Sequence, residues 1–270
     1  MATPRVQISG ASVLLTGATG GIGHAIARSL AARGARLTLT GRRAEVLDEL
    51  AAELGAGTLS CDLASREALA ALATQAASTD VLIANAALPA SGELTELTQE
   101  QIDRMLEVNL RAPIALARAL APAMAARGAG HLVFISSLSG KTASPASSLY
   151  SATKFGLRGF SLGARVDLAS QGIGVSTIFP GFIADAGMFA DTGLALRRGV
   201  GTRTPRHVAD AVLRVIDEDR AELDVAPLAL RLGAAAGGLA PAAVATVMRR
   251  LGSHEVAAQM AERQRHHRSG

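Results

Sequence analysis

Short apolar runs alternate with longer, alanine-rich amphipathic stretches through most of this sequence. The first two amphipathic stretches, Ile22–Arg33 and Ala44–Leu54, are predicted helices because their apolar residues recur with a helical period. The apolar runs predict seven strands, at Ser12–Leu15, Arg36–Thr40, Thr58–Cys61, Val81–Ala84, His131–Ser136, Val175–Phe179 and Glu222–Ala226. Short buried strands separated by helices are typical of parallel β-α-β units. We therefore expect an α/β fold with one doubly wound parallel sheet of about seven strands, which binds ligands at the carboxyl ends of the strands.

The composition predicts a single domain with a helical tail. A chain of 270 residues with 49% hydrophobic residues can bury a full core, and no proline- or serine-rich linker divides it. The strand pattern stops near Pro227. We therefore predict that residues 1–226 hold the sheet and the functional site, and that residues 227–270 form a helical, basic C-terminal extension of the same domain.

Composition also disfavours several classes of function. The net charge is +4, but aromatic residues make up only 3% of the chain and the arginines are scattered along helices, so we predict no nucleic-acid partner. The single cysteine, Cys61, excludes a disulfide framework or a cysteine-based zinc site, and we predict no bound metal. Residues 1–10 lack the apolar core of a signal peptide, and no run reaches the roughly 18 apolar residues of a spanning helix. A reducing cytoplasm is the simplest setting.

A glycine-rich turn joins the first predicted strand to the first predicted helix. It has the sequence Thr16-Gly17-Ala18-Thr19-Gly20-Gly21-Ile22-Gly23. Glycines let the chain turn tightly and let backbone N–H groups approach a pyrophosphate at the positive end of a helix. Glycine also ends strands for structural reasons alone, but its place between a strand and a helix favours a dinucleotide site.

Two arginines follow the second predicted strand. A site for NAD usually has an acidic side chain there, which accepts hydrogen bonds from the ribose hydroxyls. Arg42 and Arg43 instead supply donors that suit a 2′-phosphate and favour NADP. The alternative is a solvated basic pair at the start of a helix. Asp62, after the third strand, is a candidate to hold the adenine amino group or to cap the next helix.

The only tyrosine of the chain, Tyr150, is followed four residues later by Lys154, one of only two lysines. Positions i and i+4 share a helix face, so both side chains can point at one site. A nearby ammonium and a positively charged nicotinamide ring would lower the pKa of the tyrosine toward neutral pH and make it a general acid or base. The alternative is a buried tyrosine beside a lysine that reaches to solvent.

Together these motifs resemble the short-chain dehydrogenase/reductase family and its Rossmann fold. The family's glycine pattern matches Thr16, Gly17, Gly21 and Gly23, and its Tyr-x-x-x-Lys pattern matches Tyr150 and Lys154. The resemblance implies four catalytic residues, which are Asn109, Ser137, Tyr150 and Lys154. It implies cofactor contacts at Gly17, Thr19, Gly21, Ile22, Gly23, Arg42, Arg43, Asp62, Asn85, Tyr150, Lys154, Pro180, Gly181, Ile183 and Asp185.

The resemblance implies an NADP(H)-dependent oxidoreductase that interconverts a ketone or aldehyde and an alcohol by hydride transfer, with NAD as the alternative cofactor. Tyr150 would exchange a proton with the substrate oxygen, which Ser137 would hold. Lys154 would lower the phenol pKa and bind the nicotinamide ribose, and Asn109 would position a water that relays protons. The competing hypothesis is a non-catalytic NADP(H)-binding scaffold or redox sensor.

Three positions depart from the family pattern. Asn85 lies in Ala84-Asn85-Ala86-Ala87, where the family has Asn-Asn-Ala-Gly. Asp185 stands where the family often has a threonine that binds the nicotinamide carboxamide, and it could instead cap a short helix. Gly20 occupies a position that is basic in many NADP-using relatives, so the preference for NADP depends on Arg42.

Three further segments suggest how substrate and partners bind. Residues 186–200 contain glycines and apolar residues and are predicted to form a mobile lid over an apolar substrate, or else a surface helix packed on the core. Gly156, Gly159 and Gly163 form a small-residue track that favours a homodimer or homotetramer, or close packing on the protein's own sheet. The apolar residues of the tail are predicted to pack over the substrate entrance or on a partner subunit, with peripheral membrane contact as the alternative. They are Leu228, Leu230, Leu232, Leu239, Val244, Val247, Met248 and Leu251.

Overall fold

Seven parallel strands form one sheet in the order β3-β2-β1-β4-β5-β6-β7. The computed structural model describes residues 6–89, 92–193 and 201–242, together with residues 246 and 262–263. The strands are β1 (Ser12–Thr16), β2 (Arg36–Gly41), β3 (Gly57–Ser60), β4 (Val81–Ala84), β5 (Gly130–Ile135), β6 (Ile173–Pro180) and β7 (Glu222–Val225). This order confirms the predicted doubly wound sheet. The order of successive strands in the sheet reverses between β1 and β4, and ligands of such sheets bind at that switch point.

Eight α-helices connect and cover the strands within the described ranges. They are α1 (Gly21–Ala32), α2 (Ala44–Leu54), α3 (Arg66–Gln75), α4 (Gln99–Leu106), α5 (Ala112–Arg127), α6 (Ser148–Ala169), α7 (Pro205–Glu218) and α8 (Leu228–Leu239). A π-helical turn, Glu107–Arg111, joins α4 to α5, and short 3₁₀ turns occupy Leu94–Glu96, Leu138–Gly140 and Ala190–Thr192. In that part of the chain, none of the helices combines the length and apolarity that a membrane crossing needs.

The core lies on both faces of the sheet, because successive strand residues point in opposite directions. Val13 and Leu15 of β1 pack with α1, α2 and α7 on one face, whereas Leu14 packs with α3, α5 and α6 on the other. All three of these residues are at most 1% exposed. Burial of each leucine side chain contributes roughly 1.5–3 kcal/mol. The two hydrophobic layers therefore hold the sheet between them and present the carboxyl ends of the strands as a rigid edge.

Strand β6 is longer than predicted at both ends, Ile173–Pro180 instead of Val175–Phe179. Gly174 interrupted the apolar pattern, but the strand needs a glycine there. A Cβ atom at this position would lie 2.5 Å from Nδ1 of His131 on the neighbouring strand β5. The glycine therefore reflects close packing between strands and does not mark the strand's end.

His131 belongs to a buried polar cluster near the amino ends of β5 and β6, away from the ligand edge. It is 2% exposed, and its Nε2 lies 2.8 Å from Oγ of Ser176. Arg165 of α6 binds Asp219 in the same region through two hydrogen bonds of 2.8 and 3.0 Å to the carboxylate. Burial lowers the pKa of His131 to about 4, and the Arg165 charge adds to this while Asp219 opposes it.

This histidine should make the protein sensitive to acid. The pKa of His131 in the folded protein lies below the ordinary value near 6.5, so the unfolded chain takes up the proton first and stability is lost as the pH falls from 6.5 toward 4. We expect a loss of about 2 kcal/mol in the free energy of unfolding between roughly pH 7.5 and pH 5. Denaturant unfolding at the two pH values should show a smaller loss for His131→Gln. The matched control His207→Gln, an exposed position, should keep the wild-type loss, and an equal loss in all three proteins would contradict the assignment.

Candidate active site

The turn after β1 is shaped by glycines that no other residue could replace. Gly17 has a positive φ of 66°, and a Cβ atom there would lie 2.7 Å from Cα of Ala86. A Cβ atom on Gly23 would lie 2.2 Å from the carbonyl oxygen of Gly17. Among the described residues, no side chain caps the N-terminus of α1 and its first turn contains no acidic residue. The backbone N–H groups and the positive helix end are therefore available to an anion such as a pyrophosphate.

Asn85 holds this turn in place. Its Nδ2 donates to the carbonyl oxygens of Thr16 and Gly17, both at 3.1 Å. The hydroxyl of Thr16 in return accepts hydrogen bonds from the backbone N–H groups of Asn85 and Ala86 at 3.0 and 3.1 Å. The missing first Asn and last Gly of the family motif thus leave the link between β1 and β4 intact. Asn85 also lines both cavities described below.

A cavity of about 490 Å³ opens above the carboxyl ends of β1 to β4. We call it the nucleotide cavity. It is lined by the glycine turn and by residues that follow β2, β3 and β4. Seven of the predicted cofactor contacts are Gly17, Thr19, Gly21, Ile22, Gly23, Arg42 and Arg43, and all seven line it together with Asp62 and Asn85. The fold therefore brings residues from four separate loops together in one cavity.

Arg43 and Asp62, two of the polar residues predicted to contact the nucleotide, are hydrogen-bonded to other groups of the protein. Arg43 donates from Nη2 to the carbonyl oxygen of Thr19, so its guanidinium lies against the glycine turn. Oδ2 of Asp62 accepts a hydrogen bond of 3.1 Å from Arg104 of α4, and its Oδ1 accepts one of 3.1 Å from the N–H of Ala64. Burial raises the pKa of Asp62, but these hydrogen bonds and the arginine charge outweigh it and hold the pKa below its ordinary value.

The alternative prediction, that Asp62 caps the next helix, is wrong. The N-cap of α3 is Ser65, whose hydroxyl accepts a hydrogen bond of 3.2 Å from the N–H of Ala68. Arg104, which also lines the nucleotide cavity, was missed by the sequence analysis. It lies 42 residues from Asp62 in an ordinary helical pattern, so no local spacing could have indicated the pair.

A second cavity of about 360 Å³ adjoins the first and contains the predicted catalytic residues Ser137, Tyr150 and Lys154. We call it the catalytic cavity. Six residues line both cavities, and they are Ile22, Asn85, Ala87, Pro89, Gly187 and Met188. A ligand held in the nucleotide cavity can therefore extend to the catalytic residues.

Tyr150 and Lys154 lie one turn apart on the first two turns of α6, as their spacing predicts. Lys154 is 2% exposed, and its Nζ donates a hydrogen bond of 3.0 Å to the carbonyl oxygen of Ile135 at the end of β5. The same Nζ lies 5.5 Å from the centre of the Tyr150 ring. Burial lowers the pKa of Lys154 to about 8, so the side chain is mostly an ammonium at neutral pH.

The expectation that Lys154 brings the tyrosine close to neutral pH is not met by the residues of this chain alone. Burial raises the pKa of Tyr150 to about 12, and a hydrogen bond with Ser137 acts in the opposite direction. The pKa of Tyr150 is raised because desolvation penalises the phenolate more than the hydrogen bond favours it. Tyr150 therefore keeps its proton at neutral pH, as a proton donor needs.

Ser137 lies two residues after the end of β5 and is the N-cap of the 3₁₀ turn Leu138–Gly140. Its Oγ accepts a hydrogen bond of 3.1 Å from the N–H of Ser139. The turn packs tightly on α6, because a Cβ atom on Gly140 would lie 2.8 Å from the carbonyl oxygen of Lys154. This close contact sets the position of the serine relative to Tyr150 and Lys154, the two predicted catalytic residues of α6.

Asn109 lies in the π-helical turn and is 1% exposed. Its Oδ1 accepts from the N–H of Leu88 at 2.7 Å, and its Nδ2 donates to the carbonyl oxygen of Leu88 at 2.9 Å. The side chain thus ties the turn to the loop after β4, a contact that the sequence analysis did not anticipate. The predicted role of Asn109 in positioning a water stays a prediction.

The loop after β6 supplies the next set of predicted contacts. Pro180, Gly181 and Ile183 line the catalytic cavity, and the N–H of Gly181 donates to the carbonyl oxygen of Val225 at 3.0 Å. Asp185 is exposed, has a positive φ of 68° and lies outside the lining of both cavities. It also does not cap the next short helix, whose N-cap is Phe189.

The first half of the predicted lid lies over both cavities. Gly187 and Met188 line the two cavities, and Phe189 lines the catalytic cavity with its ring centre 5.0 Å from that of Phe182. The lid also contacts the glycine turn, since a Cβ atom on Gly21 would lie 2.1 Å from Cβ of Ala186. The remaining lid residues of the prediction, 194–200, lie outside the described residues.

The first helix of the predicted tail, α8, lies beside the catalytic cavity. Leu230 lines the catalytic cavity. Leu228, Leu232 and Leu239 are instead 64%, 62% and 88% exposed, so they are not buried within this chain, and their packing on a partner subunit stays a prediction. The other apolar tail residues, Val244, Val247, Met248 and Leu251, lie outside the described residues.

Comparison with known proteins agrees with this geometry. A family model described as short chain dehydrogenase matches residues 11–197. The chain belongs to the short-chain dehydrogenase/reductase family. Its sheet, glycine turn and Tyr-x-x-x-Lys pair are therefore those of a family of oxidoreductases.

Similar members of this family come from animals and bacteria. Dehydrogenase/reductase SDR family member 7B of Bos taurus is 34% identical, with 82% of this chain and 75% of the relative covered. Ketoacyl reductase HetN of Nostoc sp. is also 34% identical, with 81% of this chain and 79% of the relative covered. The solved structure of a short-chain dehydrogenase from Sphingobium yanoikuyae in complex with NADPH has a TM-score of 0.74 and 30% identity, covering 90% and 95% of the two chains.

Proposed function

We propose that this member of the short-chain dehydrogenase/reductase family is an NADP(H)-dependent enzyme that interconverts a ketone or aldehyde and an alcohol, acting on an apolar substrate. The observation that carries the proposal is the placement of Ser137, Tyr150 and Lys154 in one cavity continuous with the nucleotide cavity. A bound nicotinamide nucleotide would supply the hydride chemistry. The glycine turn has the open N–H groups and the absence of Cβ atoms that its pyrophosphate requires.

The side chains of the catalytic cavity suit proton transfer to a carbonyl oxygen. Tyr150 holds its proton at neutral pH and lines the same cavity as Ser137, so the two hydroxyl groups can bind one substrate oxygen between them. Lys154 places a positive charge beside the phenol and stabilises the negative charge that forms when the proton leaves. In the oxidative direction, the same tyrosine accepts the proton back. A panel of carbonyls and alcohols, assayed by the absorbance of NADPH, tests the activity directly.

The preference for NADP depends on Arg42. Its side chain lines the nucleotide cavity at the end of β2, where a carboxylate would repel a phosphate. The bound nucleotide in the Sphingobium yanoikuyae relative is NADPH. Arg42 and not Arg43 is the better candidate for the 2′-phosphate, because the guanidinium of Arg43 already donates to Thr19.

Arg42→Ala should weaken NADPH binding about 10- to 100-fold and change NADH binding little, because one charge-assisted hydrogen bond contributes about 1.5–3 kcal/mol. Titration calorimetry with each nucleotide measures the effect. Arg118→Ala, which removes an exposed arginine of α5 outside both cavity linings, is the matched control and should bind both nucleotides as the wild type does. Equal affinity of the wild-type protein for NADPH and NADH would contradict the preference.

We also infer a homodimer or homotetramer that pairs through α6. Phe155, Leu162 and Val166 of this helix are 41%, 42% and 77% exposed, and a Cβ atom on Gly159 or Gly163 would meet no atom within 4 Å. An exposed apolar helix face with room for close approach is typical of a subunit interface. A Cβ atom on Gly156, the third glycine of the predicted track, would instead lie 3.2 Å from the side chain of Leu110 in the same chain.

A further inference from the structure

Helix α8 forms one side of the mouth of the catalytic cavity. Its residues Ala229, Leu230, Gly233 and Ala234 line the cavity. Ala234 is 3% exposed, whereas Ala229 and Gly233 are exposed, so the helix meets the cavity at its rim.

The position of α8 is set by contacts one turn beyond the cavity. A Cβ atom on Gly237 would lie 2.1 Å from Oγ1 of Thr142, so α8 packs directly on the segment that follows the Ser137 turn. At the other side of the helix, Nε of Arg231 lies 3.9 Å from a carboxylate oxygen of Asp224 on β7. These contacts hold α8 at the rim of the catalytic cavity.

Gly233 differs from Gly237 in what surrounds it. A Cβ atom on Gly233 would meet no atom within 4 Å, although the residue lines the cavity. The space next to Gly233 is thus not filled by the described part of the protein. Glycine inside a helix costs roughly 0.5–1 kcal/mol relative to alanine, and no close backbone contact at this position requires it.

The remainder of the cavity lining is uncharged except at its base. Lys154 is the one charged residue among the described residues that line the catalytic cavity, and it is buried against Ile135. Phe182, Met188 and Phe189 contribute large apolar side chains to the same lining. A substrate group that passes between these residues and α8 meets no charge that would bind a carboxylate or phosphate.

We propose that Gly233 is a specificity-determining residue that keeps the cavity mouth open for a ketone or secondary alcohol with one large, uncharged, apolar substituent. The carbonyl lies at Ser137 and Tyr150, and the large substituent extends past the rim formed by Ala229 and Gly233. This inference rests on the proposed function and adds to it the shape of the substrate.

The test compares two methyl ketones that differ only in the second substituent, butanone and benzylacetone. Gly233→Leu adds a side chain at a position where a Cβ atom would meet no atom of the described residues within 4 Å, and leucine is a good helix former. We expect kcat/KM for benzylacetone to fall about 10- to 200-fold, whereas kcat/KM for butanone stays within about threefold. Ala235→Leu, an exposed α8 position outside the cavity lining, is the matched control and should leave the ratio of the two values unchanged.

Calorimetric binding of the same ketones to the NADPH-loaded proteins separates this inference from the proposed function. If the wild type binds benzylacetone but reduces neither ketone, the proposed function is wrong, and weaker binding of benzylacetone by Gly233→Leu still supports the role of Gly233. If the wild type does not bind benzylacetone, the inference is overturned. It is also overturned if Gly233→Leu keeps the wild-type ratio of kcat/KM for the two ketones, or if it lowers the binding of both ketones equally.

Discussion

Replacing Tyr150 with phenylalanine should lower ketone turnover by about 10²- to 10⁴-fold while NADPH still binds. The substitution keeps the aromatic ring and its packing against the Lys154 ammonium, which lies 5.5 Å from the ring centre. It deletes the proton that the phenol carries at neutral pH, where burial holds its pKa at about 12. Steady-state rates with NADPH and a ketone, together with calorimetric binding of NADPH, measure the two effects separately.

A neighbouring hydroxyl group provides the control for this variant. Ser151 is 4% exposed, and its Oγ has no hydrogen-bond partner among the described residues, so Ser151→Ala removes a buried hydroxyl next to Tyr150 without removing the proposed donor. We expect Ser151→Ala to turn over ketones at close to the wild-type rate. Full activity of Tyr150→Phe would show that another group donates the proton.

Lys154→Met should reduce both turnover and NADPH binding, with turnover falling at least about 10²-fold, since in the proposed mechanism the ammonium stabilises the developing phenolate and Lys154 is the one charged residue among the described residues that line the catalytic cavity. Methionine fills much of the volume of the buried side chain but cannot donate to the carbonyl oxygen of Ile135. The wild-type enzyme should in addition lose kcat/KM for reduction as the pH rises through about 8, where the ammonium loses its proton.

The second lysine of the chain is the matched control. Lys141 binds Asp224 at 2.6 Å and Glu222 at 3.2 Å, with its Nζ 4.1 Å above the Phe179 ring, and it lies outside both cavity linings. Lys141→Met should lower the melting temperature, because it leaves two partly buried carboxylates with less positive charge. Turnover per folded molecule should stay within about threefold of wild type. Equal losses of turnover in the two lysine variants would argue against a specific role for Lys154.

Local patterns were sufficient to predict the sheet and the two motifs of the site. The strands and helices could be recognised because the side chains on one face recur every two residues in a strand and every 3.6 residues in a helix. The glycine turn and the Tyr150–Lys154 pair are likewise local, because a strand-to-turn junction or an i, i+4 offset fixes where their atoms point. These features therefore follow from the sequence with no knowledge of distant contacts.

Only the tertiary structure could decide which side chains meet across the fold. Asp62 binds Arg104, Asn109 binds the backbone of Leu88, and Gly237 of α8 packs on Thr142. Each pair joins separate elements, so its geometry depends on how the helices pack and not on spacing along the chain.

The pKa of Tyr150 could not be predicted from the sequence alone. The sequence placed a lysine beside the tyrosine and so predicted a lowered pKa, but the amount of water that the folded chain removes from the phenol is a property of the whole site. Burial raises the pKa of Tyr150 to about 12. The sequence alone thus determined the fold class, the glycine turn and the Tyr150–Lys154 pair, whereas the folded structure decided the electrostatics of the pair and the shape of the cavity mouth, because desolvation and long-range packing arise only when distant segments come together.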